Sequence, residues 1–435
     1  MARIKLAYIG GGSTRGAGTM ASFLHQGEDF DGSEVVLIDL EPERLELVRG
    51  LAERMAKARG LDIEITATTN RREGLTDCDA ILSSYRPGGF AARVLDEKIP
   101  RAHGVIGQET QGAGGFFMAL RAIHVMKGVL EDVAVACPRA RIFNYTNPVN
   151  IVAQAATMHS DVPFVSLCEG PIYYTSEISE AAGFAPGRLE TVIVGVNHLS
   201  WSVKHLLDGE DAMPAIRAAW ERRRDDPTLE PKRRRQLRIA AEMGAVPSEY
   251  WQYYYCEDEV LAELAAKPTT RAEDILAWAP AYWAHYTEQA GLDDPQLDPG
   301  RSRGGIHELE LAIDVMDAVF NGKDEVHPVN VPNAGGALPG FDEHVVVEIL
   351  GRCHDGWIEP LPAPAPLPRH LAGLVQSLAE YQVLTAEAAW SGSRADAVKA
   401  LCANPLVRTI DHAQRIYAEL AEAHRAHLPE RLVTA

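Results

Sequence analysis

Three side chains suited to binding a metal or a hydroxyl group each follow a predicted strand. Cys168 ends the apolar run 162–168, His198 ends the run 190–198, and Asn147 follows a third such run. A thiolate and an imidazole together are a suitable ligand pair for a borderline divalent metal. Each is also typical of a buried core position when taken alone. The pair therefore predicts a metal site if both strands end at the same edge of one sheet.

A glycine cluster near the N-terminus predicts a phosphate-binding turn. The apolar run 4–9 leads into Gly10, Gly12 and Gly16, and a helix-like segment follows. Glycines at these places let the backbone turn tightly and approach a pyrophosphate, whose charge then lies at the helix N-terminus. The predicted cofactor-binding residues of this turn are Gly10, Gly11, Gly12, Ser13, Thr14 and Arg15.

An acid at the end of the next apolar run supports this interpretation. The run 34–39 ends in Asp39, and an NAD-binding fold places a ribose-binding carboxylate about 20 residues beyond the glycine turn. A surface aspartate that closes a strand is the alternative. The order of strand, turn, helix, strand and acid favours a dinucleotide, and an aspartate rather than an arginine favours NAD over NADP.

The elements that position these residues alternate between strand and helix. Helical spacing over 43–59 is followed by strand-like runs at 63–68 and 79–84, and the later run 190–198 is expected to close the same sheet. Such alternation builds a parallel sheet with right-handed crossovers, whose ligands gather at its carboxyl edge. We therefore predict an α/β fold, with a Rossmann-like NAD domain at 1–200 and a mixed α+β catalytic and oligomerisation domain at 201–435.

The second half of the chain has a different pattern. The mixed-charge run 222–235 predicts a helix surface exposed to solvent or to another subunit. A helix near 308–321, a late strand at 343–350, a proline-rich connector at 359–368 and two or three helices over 370–427 follow.

Composition excludes several classes of protein. The chain has 435 residues and a formal net charge of −19, which disfavours a nucleic-acid partner. Its six cysteines form no close framework, which is typical of a reducing compartment. We found no run of about 18 apolar residues of the kind that spans a membrane. These features predict a cytoplasmic protein with a small-molecule substrate and no membrane partner, and we expect a homodimer or homotetramer.

Separated motifs follow one another in a fixed order over residues 4–200. They are Gly10-Gly-Gly-Ser-Thr-Arg15, Tyr85-Arg-x-Gly-Gly89 with Arg93, Gly107-Gln-Glu-Thr110 with Gly112 and Gly114-Gly-Phe116, Thr146-Asn-Pro148, Cys168 and Gly195-x-Asn-His198, with looser matches at Pro247-x-x-Tyr250, Arg303-Gly-Gly305 and Val329-Asn330. This series resembles glycoside hydrolase family 4. Those glycosidases, such as 6-phospho-glucosidases and alpha-galacturonidases, require NAD and a divalent metal, typically manganese.

The resemblance implies a mechanism and a role for three residues. NAD takes hydride from C3 of the sugar, the aglycone leaves by elimination, water adds, and the hydride returns, so that NAD is recycled. Cys168 and His198 would hold the metal, which acts as a Lewis acid. Tyr250 would remove the proton from C2, although a tyrosine in this aromatic-rich stretch is also expected in a core.

The resemblance also assigns the substrate-binding residues. Arg86 and Arg93 match positions near the substrate, where an arginine fork suits an anionic group on the sugar. A structural salt bridge is the alternative for both arginines. Asn147 and Asn197 suit neutral hydrogen bonds to sugar hydroxyls or to the metal site.

One departure leaves the substrate subgroup open. Cys168 is followed by Glu169, where many relatives carry His or Asn. A 6-phospho-glycoside is the preferred substrate, and a uronic-acid or sulfosugar glycoside cleaved in the same way is the first alternative. An NAD-dependent 2-hydroxy acid or sugar dehydrogenase with net release of NADH is the second.

Overall fold

A computed structural model describes residues 1–303 and 310–434. Its strands are β1 (Lys5–Ile9), β2 (Glu34–Ile38), β3 (Glu64–Thr68), β4 (Ala80–Ser83), β5 (Arg141–Asn144), β6 (Phe164–Ser166), β7 (Leu189–Val196), β8 (Leu199–Leu207), β9 (Glu210–Asp211), β10 (Glu325–Pro332), β11 (Val346–Cys353) and β12 (Ile358–Pro360).

Helices connect and cover these strands. They are α1 (Gly16–His25), α2 (Pro42–Ala58), α3 (Arg71–Gly74), α4 (Gly89–Ala102), α5 (Gly112–Ala136), α6 (Val149–His159), α7 (Gly170–Ala182), α8 (Met213–Arg223), α9 (Pro231–Met243), α10 (Gln252–Tyr255), α11 (Glu257–Ala266), α12 (Arg271–Ala290), α13 (Glu310–Asn321), α14 (Arg369–Trp390), α15 (Arg394–Cys402), α16 (Ile410–Ala423) and α17 (Glu430–Val433).

The first half of the sheet is parallel and runs in the order β3-β2-β1-β4-β5-β6. Apart from the edge strand β3, its strands are largely buried, and all are joined by helices, as parallel strands require. This is the strand order of a dinucleotide-binding fold, in which ligands lie beyond the carboxyl ends of the strands. The predicted α/β fold with a Rossmann-like parallel sheet is confirmed.

The sheet continues without interruption into antiparallel strands, in the order β10-β11-β7-β8-β9. The prediction that the run 190–198 closes the parallel sheet is wrong, because β10 and β11 lie between β6 and β7. β7 instead forms a tight hairpin with β8, and residue 198 lies in its turn. The proposed division at residue 200 falls inside β8 and stays a prediction.

The later elements agree in type with the predicted ones but differ in their ends. The predicted strand at 343–350 corresponds to β11. The helix predicted at 308–321 corresponds to α13, and residues 308 and 309 of that prediction lie outside the described part of the chain. Three helices, α14, α15 and α16, occupy the segment 370–427, which confirms the prediction of two or three, and the short helix α17 follows beyond it.

Among the described residues, one helix is long and apolar enough to span a membrane, which the sequence prediction did not anticipate. This helix is α5, and 78% of its most apolar stretch is buried inside the protein. It packs against α4, α6 and α14 and is the central helix on its side of the sheet.

A buried charged cluster joins the C-terminal helices to the first half of the chain. Asp96 on α4 accepts hydrogen bonds from Arg121 on α5, at 3.0 and 2.5 Å, and lies 2.8 Å from Nε2 of His424. All three residues are at most 1% exposed. Burial disfavours the charged carboxylate, but Arg121 and His424 outweigh burial and lower the pKa of Asp96.

Removal of the arginine is expected to destabilise the fold. Arg121→Met leaves a buried carboxylate without its main partner and should cost about 3–5 kcal/mol in urea unfolding at pH 7. Because folding lowers the pKa of Asp96, the extra stability of the wild type is complete above pH ~4 and is lost as the pH falls further. Arg188→Met, which removes an exposed pair with Asp208, is the control. Equal stability of Arg121→Met and this control would contradict the prediction.

Candidate active site

The glycine turn lies between β1 and α1, as predicted. Gly10 adopts φ +99°, and a Cβ there would collide with the carbonyl oxygen of Ser84 at the end of the neighbouring strand. The helix begins at Gly16 without a side-chain cap. The Gly16 N–H donates to Ser13 O at 2.9 Å, so N–H groups for a ligand would come from the residues after it in the first turn. The hydroxyl of Ser13 is buried without a hydrogen-bond partner among the described residues. An unpaired buried hydroxyl in this cradle fits a phosphate-bearing cofactor.

Asp39 follows β2 and lies against the glycine turn. Its Oδ2 accepts a hydrogen bond from the backbone N–H of Gly12 at 2.9 Å, and its Oδ1 accepts one from Leu40 at 2.7 Å. Burial raises the pKa of this carboxyl group. The fold therefore places Asp39 where a ribose-binding acid is expected, and its role stays a prediction.

The candidate metal ligands meet, although their strands are not neighbours. Cys168 follows β6, and His198 lies in the β7–β8 turn with φ +66°. The Cys168 Sγ is 3.6 Å from the His198 Nε2. On the other side of the ring, His198 Nδ1 is 2.9 Å from Thr110 Oγ1. If Nδ1–H donates to Thr110, the lone pair of Nε2 is directed towards the sulfur.

Burial keeps both candidate ligands neutral in the absence of a cation. It lowers the pKa of His198 to about 4 and raises the pKa of Cys168 to about 12. A neutral imidazole is the form that binds a metal, and a cation between the two groups would favour the thiolate. No cluster of three His, Cys, Asp or Glu side chains suited to a metal occurs in the described part of the chain. Further ligands must then come from other oxygen donors, such as amides, substrate or water.

The candidate base stacks on the candidate ligand. Tyr250 lies in a single 3₁₀ turn, Glu249–Trp251, and its ring is parallel to that of His198 with centroids 3.9 Å apart. Ser248 donates a hydrogen bond to the His198 carbonyl oxygen, and Trp251 Nε1 donates to Ser200 O at 2.9 Å. Burial, with the nearby charge of Glu249, raises the pKa of Tyr250 well above its usual value.

Arg86 and Arg93 meet at one carboxylate. Arg86 pairs with Glu109, and Arg93 pairs with Glu109 at 2.5 Å and with Glu97 at 2.6 Å. Burial opposes ionisation of Glu109, but the two arginines outweigh burial and lower its pKa to about 2. Both arginines therefore form the salt bridges that the alternative expected, and their role in substrate binding stays a prediction.

Sequence reasoning gave no separate role to Arg303, which completes an arginine cluster with Arg15, Arg86 and Arg93. Arg303 lies over the ring of Phe90 at 4.4 Å. Burial, together with Arg15 and Arg86, lowers its pKa to about 9. Several guanidinium groups thus lie close together, an arrangement suited to binding an anion.

Glu109 and Thr110 were also quoted only as part of a motif. They are consecutive residues, yet Glu109 binds the arginine cluster and Thr110 contacts His198. Their signal in the sequence was the Gly-Gln-Glu-Thr run in a glycine-rich loop, which has no periodicity to show where the side chains point. This loop therefore joins the arginine cluster to the candidate metal pair.

The two predicted asparagines differ in their surroundings. Asn147 is half-buried after β5. Asn197 is 2% exposed, and its amide donates to Glu348 Oε1 at 2.6 Å, while its own oxygen has no partner in the described chain. Glu169 directly precedes α7, and its charge acts on both Cys168 and Tyr145.

The expectation of an exposed basic helix is wrong for part of the run 222–235. On α9, Lys232 pairs with Glu249 and Arg233 pairs with Glu177 at 2.7 Å. Arg235 is buried beside Gln252. The helix lies against α7 and α10, so acidic and amide groups next to the site bind these cations.

Comparison with known proteins identifies the family. A model described as family 4 glycosyl hydrolase matches residues 5–184, and one for the C-terminal domain of that family matches residues 193–407. The chain belongs to the family 4 glycosyl hydrolases. This confirms the resemblance and shows that the protein is a glycoside hydrolase rather than a dehydrogenase.

Relatives of this hydrolase match it along nearly its whole length. A probable 6-phospho-beta-glucosidase of Bacillus subtilis is 32% identical, and the match covers 98% of each chain. A 6-phospho-alpha-glucosidase from gut microorganisms, solved with NAD and glucose-6-phosphate, is 25% identical over 99% of each chain, with a TM-score of 0.84. Another structure of a 6-phospho-alpha-glucosidase from gut microorganisms, with NAD and Mn²⁺, is 24% identical, covers 98% of this chain and 99% of its own, and shares the fold with a TM-score of 0.85. The ligands of these relatives agree with the predicted cofactors.

The glycine turn leads to a binding prediction for this hydrolase. A Cβ on Gly12 would lie 2.9 Å from the Asp39 Cβ. We therefore expect Gly12→Ala to displace Asp39 and weaken NAD binding at least tenfold (~1.4 kcal/mol) in calorimetric titration. Gly50→Ala is the control, because a Cβ there meets nothing within 4 Å. An unchanged NAD affinity in Gly12→Ala would contradict this arrangement.

Proposed function

We propose that this protein hydrolyses 6-phospho-glycosides with bound, recycled NAD and a divalent metal, through oxidation, elimination, addition and reduction. The main support for the proposal is that two consecutive residues contact the arginine cluster and the candidate metal pair. Glu109 binds Arg86 and Arg93, and the next residue, Thr110, contacts His198. A sugar in this site would have its anionic group at one end and its reacting carbons at the other.

The charge of the arginine cluster favours phosphate. Three arginines, Arg86, Arg93 and Arg303, act on Glu109, and Glu97 takes part of the charge of Arg93. The remaining positive charge suits a phosphate dianion better than the single charge of a carboxylate or sulfonate. A uronic-acid or sulfosugar glycoside is the second candidate, and the substrate test below separates the three anions.

The donor set fits both cofactors. The glycine turn, the unpaired Ser13 hydroxyl and Asp39 suit NAD, and the buried sulfur and imidazole of Cys168 and His198 suit a divalent cation such as Mn²⁺. When bound, NAD would accept and return a hydride at C3 of the sugar, and the cation would supply Lewis-acid stabilisation of the oxidised sugar.

The residues of the chain orient the sugar and move its protons. The arginine cluster would bind the 6-substituent and fix the ring in one direction. Tyr250, stacked on His198, would take the proton from C2. Its raised pKa means that the phenolate needs a nearby positive charge, and the charge of Arg93 interacts with that of Tyr250. Asn147 and Asn197 would bind sugar hydroxyls. We place this activity in the cytoplasm and in a homo-oligomer.

A panel of substrates tests the proposal. Nitrophenyl glycosides with a 6-phosphate, 6-carboxylate or 6-sulfonate, in both anomeric forms, are assayed with NAD, with and without Mn²⁺. We expect cleavage of a 6-phosphate substrate that requires Mn²⁺ and gives no net NADH. Cleavage of only the carboxylate or sulfonate substrates would favour the second candidate, and steady NADH release would contradict recycling.

The same panel tests the arginine cluster. Arg303→Met removes a cation while its side chain can still cover Phe90, so we expect kcat/KM for the 6-phosphate substrate to fall about 10- to 100-fold. Arg301→Met, two residues away and paired with exposed Glu288, is expected to behave like the wild type. Equal losses in both variants would show that the effect is not local to the cluster.

The candidate base has a separate test. With substrate deuterated at C2, the wild type should release deuterium to solvent. Tyr250→Phe should slow this exchange at least about 100-fold with unchanged NAD binding. Tyr255→Phe, in the same aromatic cluster and packed on Trp251, is the control. Full activity and exchange in Tyr250→Phe would remove it as the base.

A further inference from the structure

A buried carboxylate with no role in the mechanism above lies beside the candidate metal pair. Glu348 is on β11, between β10 and β7, and is 1% exposed. In the sheet it lies opposite Asn330 on one side and Gly195 on the other. The second half of the chain thus brings a charged group next to the hairpin that carries His198.

The side chain of Glu348 spans the turn that holds His198. Its Oε1 accepts from the Asn197 amide at 2.6 Å, and its Oε2 accepts from Ser200 Oγ at 2.7 Å. The Asn330 side chain, opposite Glu348 in the sheet, lies near the same carboxylate. Asn197 and Ser200 stand immediately before and two residues after His198, so one carboxylate fixes both sides of the ligand-bearing turn.

These hydrogen bonds leave two amide oxygens unpaired. The Oδ1 atoms of Asn197 and Asn330 are buried and have no hydrogen-bond partner within residues 1–303 and 310–434. An unpaired buried acceptor costs about 1–3 kcal/mol and calls for an ion or ligand that would satisfy it. Amide oxygens are suitable ligands for Mn²⁺ and suitable acceptors for hydroxyl groups.

Electrostatics points to the same centre. The two side chains that donate to Glu348, Asn197 and Ser200, are neutral. Glu348 also acts electrostatically on Cys168, and burial raises the pKa of both groups. A divalent cation bound here would favour their ionised forms.

We propose that Glu348 is the positioning residue of the metal centre, where it orients Asn197, Asn330 and the His198 turn so that the unpaired amide oxygens serve the cation and its bound substrate. This inference rests on the proposed function, because it presupposes the divalent cation. Within it, Glu348 acts through its hydrogen bonds to Asn197 and Ser200 and does not itself contact the metal.

The test measures metal binding by the whole protein rather than activity. Mn²⁺ binding to wild type and Glu348→Gln is titrated by calorimetry and by the electron paramagnetic resonance of Mn²⁺. Glutamine has the same shape, but it lacks the charge and presents an amide where an acceptor is needed. We expect Mn²⁺ to bind 10- to 100-fold more weakly, with an altered resonance spectrum and an NAD affinity within twofold of wild type.

Controls separate this role from a general loss of structure. Asp132→Asn removes a largely buried carboxylate that binds Arg71 and Arg72, and it should bind Mn²⁺ like the wild type. If Glu348→Gln does not fold, Ser200→Ala and Asn330→Ala replace it, since each removes one member of the network without changing charge. We expect both to bind Mn²⁺ at least threefold more weakly.

The possible failures are distinguishable. Wild-type affinity and an unchanged spectrum in Glu348→Gln, or in both replacement variants, would overturn the role of Glu348 while leaving the proposed function in place. Equal loss in Asp132→Asn would also overturn it, because the effect would not be specific to this carboxylate. No Mn²⁺ binding by the wild type would instead overturn the proposed metal dependence.

Discussion

The contacts of one short loop hold the two ends of the site together. Glu109 binds two arginines, Thr110 contacts His198, and Gln111 accepts a hydrogen bond from Tyr254 at 2.8 Å. The loop is held by Gln108, whose side-chain oxygen accepts from the backbone N–H groups of Thr110 and Gln111 at 2.5 and 2.7 Å. Because α5 begins directly after it, a long and largely buried apolar helix anchors these contacts.

The continuous sheet explains how distant parts of the chain reach this loop. The parallel half is completed by β6, which ends before Cys168, and β10 pairs with β6 through Asn330 and Ser166. β11 then joins β7 through Glu348 and Gly195. An antiparallel hairpin from the second half therefore lies between the two strands whose ends carry the metal pair. The glycosidase site depends on this insertion, since the nucleotide-binding half alone contains the cofactor turn but not the carboxylate network around His198.

The sequence was sufficient where local patterns determine structure. Glycines and alternating strands predicted the turn at Gly10 and the parallel sheet, because backbone freedom and hydrophobic periodicity are local properties. The meeting of Cys168 and His198 was predicted from their strand ends, although the expected strand order around them was wrong. Glu348 and Arg303 were missed because their contacts are with residues far away in the sequence, which no local pattern shows. The charged run on α9 was misread for the same reason, since the acids that bind it come from α7 and from beside Tyr250.

Glu109 and Thr110 are neighbours in the chain, which limits how far apart the two ends of the site can lie. Consecutive Cα atoms are about 3.8 Å apart, so the side chains that contact the arginines and the imidazole start from neighbouring points on the backbone. If a sugar binds as proposed, its charged substituent and its reacting carbons would lie at positions tied to this loop, and the site would select the size of the sugar as well as its charge. A single residue inserted between these two positions would increase the distance between the two contacts without removing any candidate catalytic group.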